Sequence, residues 1–429
     1  MDKDKYISRI QDAQLNKLLD NFCAVLIRGP KWCGKSTTAR QLAKSELLLN
    51  NKKLRENYDQ INANDPTVFL LGDKPRLIDE WQLYPAIWDE IVSYSNENNL
   101  RNQFILTGSR SPKEGVTNHS GTMRIARIDM TTMSLFESNE SNGEVSLKEL
   151  FDNPNYKCHS LAKLSKKEVT KTIVRGGFPS SIVEPPTNLS IYGEQYVSAI
   201  CEHDIQEASG KKLSPITARA ILRSLARNIS EMVDNKTIIA DVVAYGRPLS
   251  EPTFYEYYDA LMKLFVIEEI PAWCPNIRSK TSIRSLPKKN FFDTSIPCAV
   301  LGIGDEALNI DFKTRGFFFE SMCGRDLKVY ASAINGELSY YRDRLGLECD
   351  YVIHLPDGRY GLFECKCGDK YINEGIEHLN SFVKLIKESN EKNNTNIPLP
   401  SVRAIITDEG YAITRKDGIH IIPISCLKD

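Results

Sequence analysis

The sequence predicts an α/β chain of three parts, and three stretches carry that reading. Residues 22–38, FCAVLIRGPKWCGKSTT, lead from an apolar run through a glycine-bracketed loop into a helical pattern. Residues 75–81, PRLIDEW, place two carboxylates at the end of a second apolar run. Residues 359–366, RYGLFECK, form one arm of a predicted hairpin and close on an E-x-K pattern.

Within residues 1–21, Ile7, Ile10, Leu15, Leu18 and Leu19 suit a short amphipathic helix. Phe22 to Ile27 is short, apolar and without helical spacing, which predicts a buried strand. Gly29, Pro30, Lys31, Trp32, Cys33, Gly34, Lys35 and Ser36 then fit G-x-x-x-x-G-K-[ST] at every fixed position, and Thr37 opens a helix. Backbone N–H groups in such a loop, with the positive end of the following helix, cradle a phosphate chain. Lys35 is expected on the β and γ phosphates and the Ser36 hydroxyl on magnesium.

Leu77 and Ile78 predict a second buried strand, with Asp79 and Glu80 at its end. A nucleotide hydrolase needs one acid to hold magnesium, Asp79, and one to orient or deprotonate the attacking water, Glu80. Gln103 to Ser109 reads as a third strand ending in hydroxyls, with Thr107 and Ser109 as candidates to contact phosphate or water. Arg124 or Arg127 is expected to reach phosphate, in its own subunit or a neighbour's, with Arg124 the first choice. Asn139 to Gly143 is turn-rich, and Phe151–Leu164 reads as a linker.

Residues 166–290 read as mostly helical. Ile216–Ile229, Thr237–Tyr245 and Ser250–Ile267 keep helical spacing, and Val266–Ile270 is expected to open a β wing. Helix, turn, helix and wing suit a reader of the major groove. Arg278, Lys280, Arg284, Lys288 and Lys289 form a run without an acid, suited to phosphate neutralisation. Against that, Glu251, Glu256 and Asp259 on the would-be recognition helix oppose groove entry.

In the last third, Gly316–Ala331 predicts a helix carrying Glu320, and Leu338–Arg342 a strand. Cys349–Leu355 and Arg359–Lys366 predict a hairpin around Pro356, Asp357 and Gly358. Glu364 and Lys366, two apart on a strand, share a face. Asp350 on the neighbouring strand is expected to meet Glu364 and form a hard oxygen site for magnesium, with Lys366 activating water and Glu320 as a further ligand. The helix 372–388 and the strands Val402–Ile406 and Ile419–Ile422 complete this part.

Composition narrows little. Lys and Arg number 55 against 56 Asp and Glu, so global charge selects no partner. Eleven scattered cysteines without a C-x-x-C pair argue for a reducing cytoplasm over a disulfide framework or zinc site. MDKDKYISRI does not read as a signal peptide, and no apolar run approaches spanning length, so no membrane partner is expected.

Taken together, GPKWCGKST, PRLIDEWQ, FILTGS, RIARIDMTTMSLFES, IVRGGFP, LRSLARN, GFFFESMCGRDLKVYA and YRDRLGLECDYVI give a chain that resembles a bacterial and archaeal family of AAA+ ATPases. These carry a C-terminal PD-(D/E)xK endonuclease-like domain of unknown function. The resemblance implies ATP as the nucleotide, Thr107 as a γ-phosphate sensor, and three domains. These are a P-loop ATPase domain over 1–165, a helical, winged-helix-like domain over 166–290 and a nuclease-like domain over 291–429. The expected activity is Mg2+-dependent ATP hydrolysis directed at DNA or RNA, in a homo-oligomer if Arg124 acts in trans. The alternative is an ATP-driven switch whose C-terminal domain is a catalytically inactive interaction or DNA-binding module.

Overall fold

The computed structural model describes residues 6–108, 119–275, 285–344 and 346–429. It divides into two compact units: residues 1–132 with 263–265, and residues 133–262 with 266–429. No helix among the described residues is long and apolar enough to cross a membrane.

In the first unit, α1 (Gln11–Leu19), β1 (Ala24–Arg28), α2 (Lys35–Leu42), β2 (Ser45–Leu48), β3 (Arg76–Asp79), α3 (Ala86–Asn98), β4 (Phe104–Gly108) and β5 (Ile125–Asp129) build a parallel sheet covered on both faces. Its strand order is β2-β3-β4-β1-β5. Period-two alternation sorts the strand residues between two cores. Val25, Ile27, Leu77, Ile105 and Ile128 pack with Leu15 and Leu19 of α1. Ala24, Leu26, Ile78, Phe104 and Leu106 pack with Trp81, Trp88 and Ile91. Burial on both faces explains why β1 reads as an unbroken apolar run. Because β4 lies between β1 and β3, the ends of all three strands meet at one edge, with Asp79 opposite Thr107.

The second unit contains β6 (Val145–Ser146), β7 (His159–Leu161), α4 (Pro215–Arg227), α5 (Asn235–Ala244), α6 (Glu251–Lys263), β8 (Ile267–Ile270), β9 (Lys288–Phe291), α7 (Phe312–Ala333), β10 (Glu337–Arg342), β11 (Glu348–His354), β12 (Tyr360–Lys366), α8 (Ile372–Asn393), β13 (Val402–Thr407), β14 (Tyr411–Thr414), β15 (His420–Pro423) and β16 (Leu427–Lys428). A seven-stranded mixed sheet runs β10-β11-β12-β13-β15-β14-β7. Leu379, Phe382 and Ile386 of α8 cover Val352, Leu362 and Ile405 on one face. On α7, the Glu320 carbonyl accepts a hydrogen bond from the Tyr351 hydroxyl of β11 at 2.9 Å.

The expected boundaries differ from these units. Phe151–Leu164 is not a linker throughout: within it β7 extends the large sheet through β14, and just before it β6 pairs with β16. A cut at 290/291 would pass through β9, which pairs antiparallel with β8. The three helices α4, α5 and α6 do precede this two-stranded ribbon, and Arg278, Lys280 and Arg284 lie outside the described residues. Lys288 and Lys289 are buried, not surface cations. Lys289 meets Glu269 at 2.8 Å and the Tyr258 hydroxyl at 2.8 Å. Neither lysine is open to a nucleic-acid phosphate.

Several resemblance-bearing segments meet in one buried polar network in this unit. Arg325 binds Asp326 Oδ1 through Nε at 2.8 Å and Nη2 at 2.7 Å. Asp326 Oδ2 accepts the Leu135 N–H at 2.9 Å, and Asp293 Oδ2 accepts the Gly177 N–H at 2.8 Å. A Cβ on Gly177 would run into the Met133 carbonyl, so glycine is required there. This network binds 133–137 and 175–178 to α7.

Candidate functional site

The phosphate loop takes its shape from two glycines with positive φ, Gly29 at 149° and Gly34 at 104°. A Cβ on Gly29 would collide with the Met130 carbonyl, so the loop can pass this close to the end of β5 only with glycine. Trp32 also has positive φ, 69°, and its side chain is largely exposed. A bulky residue in that conformation is strained, as ligand-binding loops often are. Cys33 is buried beneath it. Arg9 ties the loop down from outside, donating to the Cys33 carbonyl at 2.8 Å and the Thr131 carbonyl at 3.0 Å.

Lys35 is 7% exposed, and its Nζ donates to the Gly29 carbonyl at 3.0 Å and the Pro30 carbonyl at 2.7 Å. The ammonium is therefore held inside the ring of loop backbone where an anion would seat. Ser36 Oγ donates to Asp79 Oδ1 at 2.6 Å, and Thr107 Oγ1 donates to the same oxygen. Hydroxyl and carboxylate are thus brought together as a hard oxygen pair of the kind that suits magnesium. Thr37 lies one residue further into α2, its carbonyl bound by Gln41 at 3.1 Å. Glu80 follows in a left-handed conformation, φ 58°, which turns its side chain away from the line of β3. Gln82 Nε2 donates to Glu80 Oε2. Thr107 faces Asp79, and Ser109 lies outside the described residues.

Arg124 is not brought to this edge. It precedes β5, and its carbonyl accepts the Ala24 N–H at 3.3 Å, at the start of β1. The loop leaves the other end of β1, roughly 13 Å away at about 3.3 Å per residue. Its Nε instead donates to Asn96 Oδ1 of α3 at 2.9 Å. Phosphate contact by Arg124 within its own subunit is ruled out by strand direction. Arg127 is exposed and donates to the Ser120 carbonyl at 3.3 Å.

In the second unit, Asp350, Glu364 and Lys366 do converge. Lys366 Nζ stands 2.8 Å from Glu364 Oε2 and 4.0 Å from Asp350 Oδ2. Asp350 Oδ2 also accepts the Cys365 N–H at 2.8 Å. Glu364 is 1% exposed, and its Oε2 has no hydrogen bond of good geometry, despite the nearby ammonium. Burial and the Asp350 charge push the Glu364 carboxyl upward. Hydrogen bonding to Glu364 raises His378, whose Nδ1 is 3.5 Å from Oε2. Lys366 is held above the ordinary lysine range: burial opposes its charge, but Asp350 and Glu364 outweigh it.

Glu320 is placed differently from expectation. Its Oε1 is bound by Lys288 Nζ at 2.6 Å, and the same ammonium donates to the Asp350 carbonyl at 3.0 Å. Among the described residues, no group of three or more His, Cys, Asp or Glu side chains is arranged to hold a metal. Two carboxylates remain, Asp350 and Glu364, which is enough for magnesium that keeps several of its waters. Lys288, Glu348 and His378 were not singled out as site residues. An alternation of buried lysine and acid across four segments leaves no spacing signal in the chain.

Residues 21–139 match a family profile described as an AAA domain. Residues 166–307 and 315–427 match two domains of unknown function, DUF8612 and DUF4143. Comparison with curated proteins returns no match. Among solved structures, the Walker-type ATPase of Pyrococcus abyssi is similar at 14% identity and a TM-score of 0.42, over 70% of this chain and 97% of that one. The replication initiator DnaA bound to AMPPCP and single-stranded DNA is similar at 12% identity and 0.28, over 60% and 90%. At these scores neither likeness extends to the arrangement of the whole chain. The profile match, the phosphate loop and the Ser36–Asp79 pair make residues 21–139 an AAA-type ATP-binding domain.

Proposed function

We propose that the protein hydrolyses ATP in its first unit and acts on nucleic acid through a metal-dependent, nuclease-like site in its second. For the first half, Lys35 and the loop amides would hold the phosphates, and Ser36 and Asp79 would hold magnesium. The chemistry such an ion would supply there is neutralisation of phosphate charge. Glu80 takes the proton of the attacking water, Gln82 steadies Glu80, and Thr107 orients Asp79 or senses the γ-phosphate. Arg124 serves only the nucleotide of a neighbouring copy.

For the second half, the observation that carries the reading is the convergence of Asp350, Glu364 and Lys366 where β11 meets β12. The surrounding order α7, β10, β11, β12, α8, β13 supports a restriction-endonuclease-like frame. Asp350 and Glu364 would hold a magnesium ion, which polarises a phosphodiester oxygen, and Lys366 orients the attacking water. The helices α4 to α6 with the β8–β9 ribbon support a winged-helix-like module. All eleven cysteines are free, which fits a reducing cytoplasm.

The test is phosphate release from ATP by the full chain, with and without DNA or RNA. Stimulation by nucleic acid is the expected result. Indifference to nucleic acid, with dependence on a protein partner, would favour the second reading of an ATP-driven switch. That reading has its own support: both carboxylates of the nuclease-like site already face Lys366.

A further inference from the structure

We propose that Lys288 is a built-in cation of the nuclease-like site, spending the charge of Glu320 so that the site takes one divalent ion and not two. The inference rests on the metal-site reading given above. Four carboxylates gather there, Glu320 on α7, Glu348 and Asp350 on β11 and Glu364 on β12. Lys288 Nζ is 2.6 Å from Glu320 Oε1, 3.0 Å from the Asp350 carbonyl and 3.9 Å from Glu348 Oε1. Its side chain is wholly buried and lies over the rings of Tyr340, at 5.6 Å, and Tyr351, at 5.1 Å.

Two-metal sites hold their ions about 3.5–4 Å apart and need carboxylates on both. The carboxylates for a second ion would be Glu320 and Glu348, and Lys288 stands against both. Arg342 also faces Glu348, Nη1 to Oε2 at 3.8 Å, so both acids available to a second ion already stand against cations. Glu364 Oε2 is a buried oxygen 2.8 Å from Lys366 Nζ and 3.5 Å from His378 Nδ1, and Lys288 makes no ion pair with it among the contacts given above. Glu320 is thus a counter-ion and not a ligand.

The test is Mn2+ binding to the full chain without nucleotide, counted by equilibrium dialysis and by the electron paramagnetic resonance of free Mn2+. Asp79→Asn protein is run in parallel to subtract any ion at the phosphate loop. The wild type should hold one ion at the C-terminal site, and Asp350→Asn none. The double variant Lys288→Met/Glu320→Leu replaces a buried ion pair by apolar groups, a change that folds generally tolerate. It should still bind one ion, with affinity within about threefold, because neither removed group touches the metal. Two ions in the wild type, or loss of the ion in a folded double variant, would overturn the role of Lys288 and leave the metal site standing. No ion in wild type would overturn the metal site and this inference together. The wild-type count decides even if the double variant does not fold.

Discussion

The two candidate sites are built in opposite ways. The phosphate loop is made of backbone: two glycines, a helix terminus, and an ammonium leaning on two carbonyls of its own loop. The C-terminal site is made of side-chain charges from β9, α7, β11, β12 and α8, each already facing an opposite charge or a hydrogen-bond partner. In the backbone cradle the Lys35 ammonium already waits where an anion would seat, so binding exchanges its two carbonyl contacts for phosphate. A charge-paired cluster must trade an ion pair for a metal, so its affinity depends on which lysines stay put.

The largest effects should fall on the backbone cradle. Lys35→Ala should weaken ATP binding by about a hundredfold or more, because the lysine contacts ground-state phosphates. Glu80→Gln should leave affinity within about threefold and slow turnover by about a hundredfold or more, since a general base acts only in the chemical step. Equilibrium binding of labelled ATP beside phosphate release separates the two. Unchanged turnover in Glu80→Gln would remove Glu80 from the site.

The second unit should be more sensitive in stability than in nucleotide affinity. Arg325→Met leaves Asp326 and Asp293 buried without their cation, at a cost of about 3–5 kcal/mol. Denaturant melts should show it, with ATP affinity little changed in protein that stays folded. A cost below 1 kcal/mol, on the order of a surface pair, would mean the network is not structural.

A smaller effect carries a pH signature. Burial would raise the Glu140 carboxyl, but the forked bond from Arg175, at 2.8 and 2.7 Å, holds it below its ordinary 4.5. A depressed carboxyl stabilises the fold above its unfolded value and stops doing so as pH falls through the folded one. Arg175→Met should therefore cost about 1–3 kcal/mol at pH 7, and the gap from wild type should close as the pH drops below about 4.5. Melts across that range would show it, and a gap independent of pH would assign the loss to packing.

Smallest is the effect expected across subunits. Mixing Arg124→Ala with Lys35→Ala protein should restore a few-fold of hydrolysis if each supplies the half-site the other lacks. A monomer with undiminished turnover would exclude that role.

The same contrast explains what could be read in advance. Gly29 to Ser36 is contiguous, so its geometry is written in its spacing, and Asp79 and Thr107 follow because each ends an apolar strand. Motif order does not reveal that Arg124 lies far from the loop of its own subunit, because a residue before a parallel strand falls at the edge away from it. Lys288 and Lys289 counted as part of a basic run, yet both fold inward on β9. Charge counting cannot see that Glu320 and Glu269 lie opposite them. Phe151–Leu164 reads as a linker because the three-residue strand within it, β7, carries too little periodicity to register. A fragment cut at 291 would lack Lys288, β6 and β7, so the C-terminal site belongs in the full chain.

The account is tested most directly by incubating labelled single- and double-stranded DNA and RNA with the full chain, with and without Mg2+ or Mn2+. The expected result is cleavage of at least one of them that requires the metal and disappears in Lys366→Ala, while ATP hydrolysis by that variant stays within about twofold of wild type. Metal-independent cutting, equal cutting by Lys366→Ala, or no cutting of any substrate would contradict a nuclease site in the second unit.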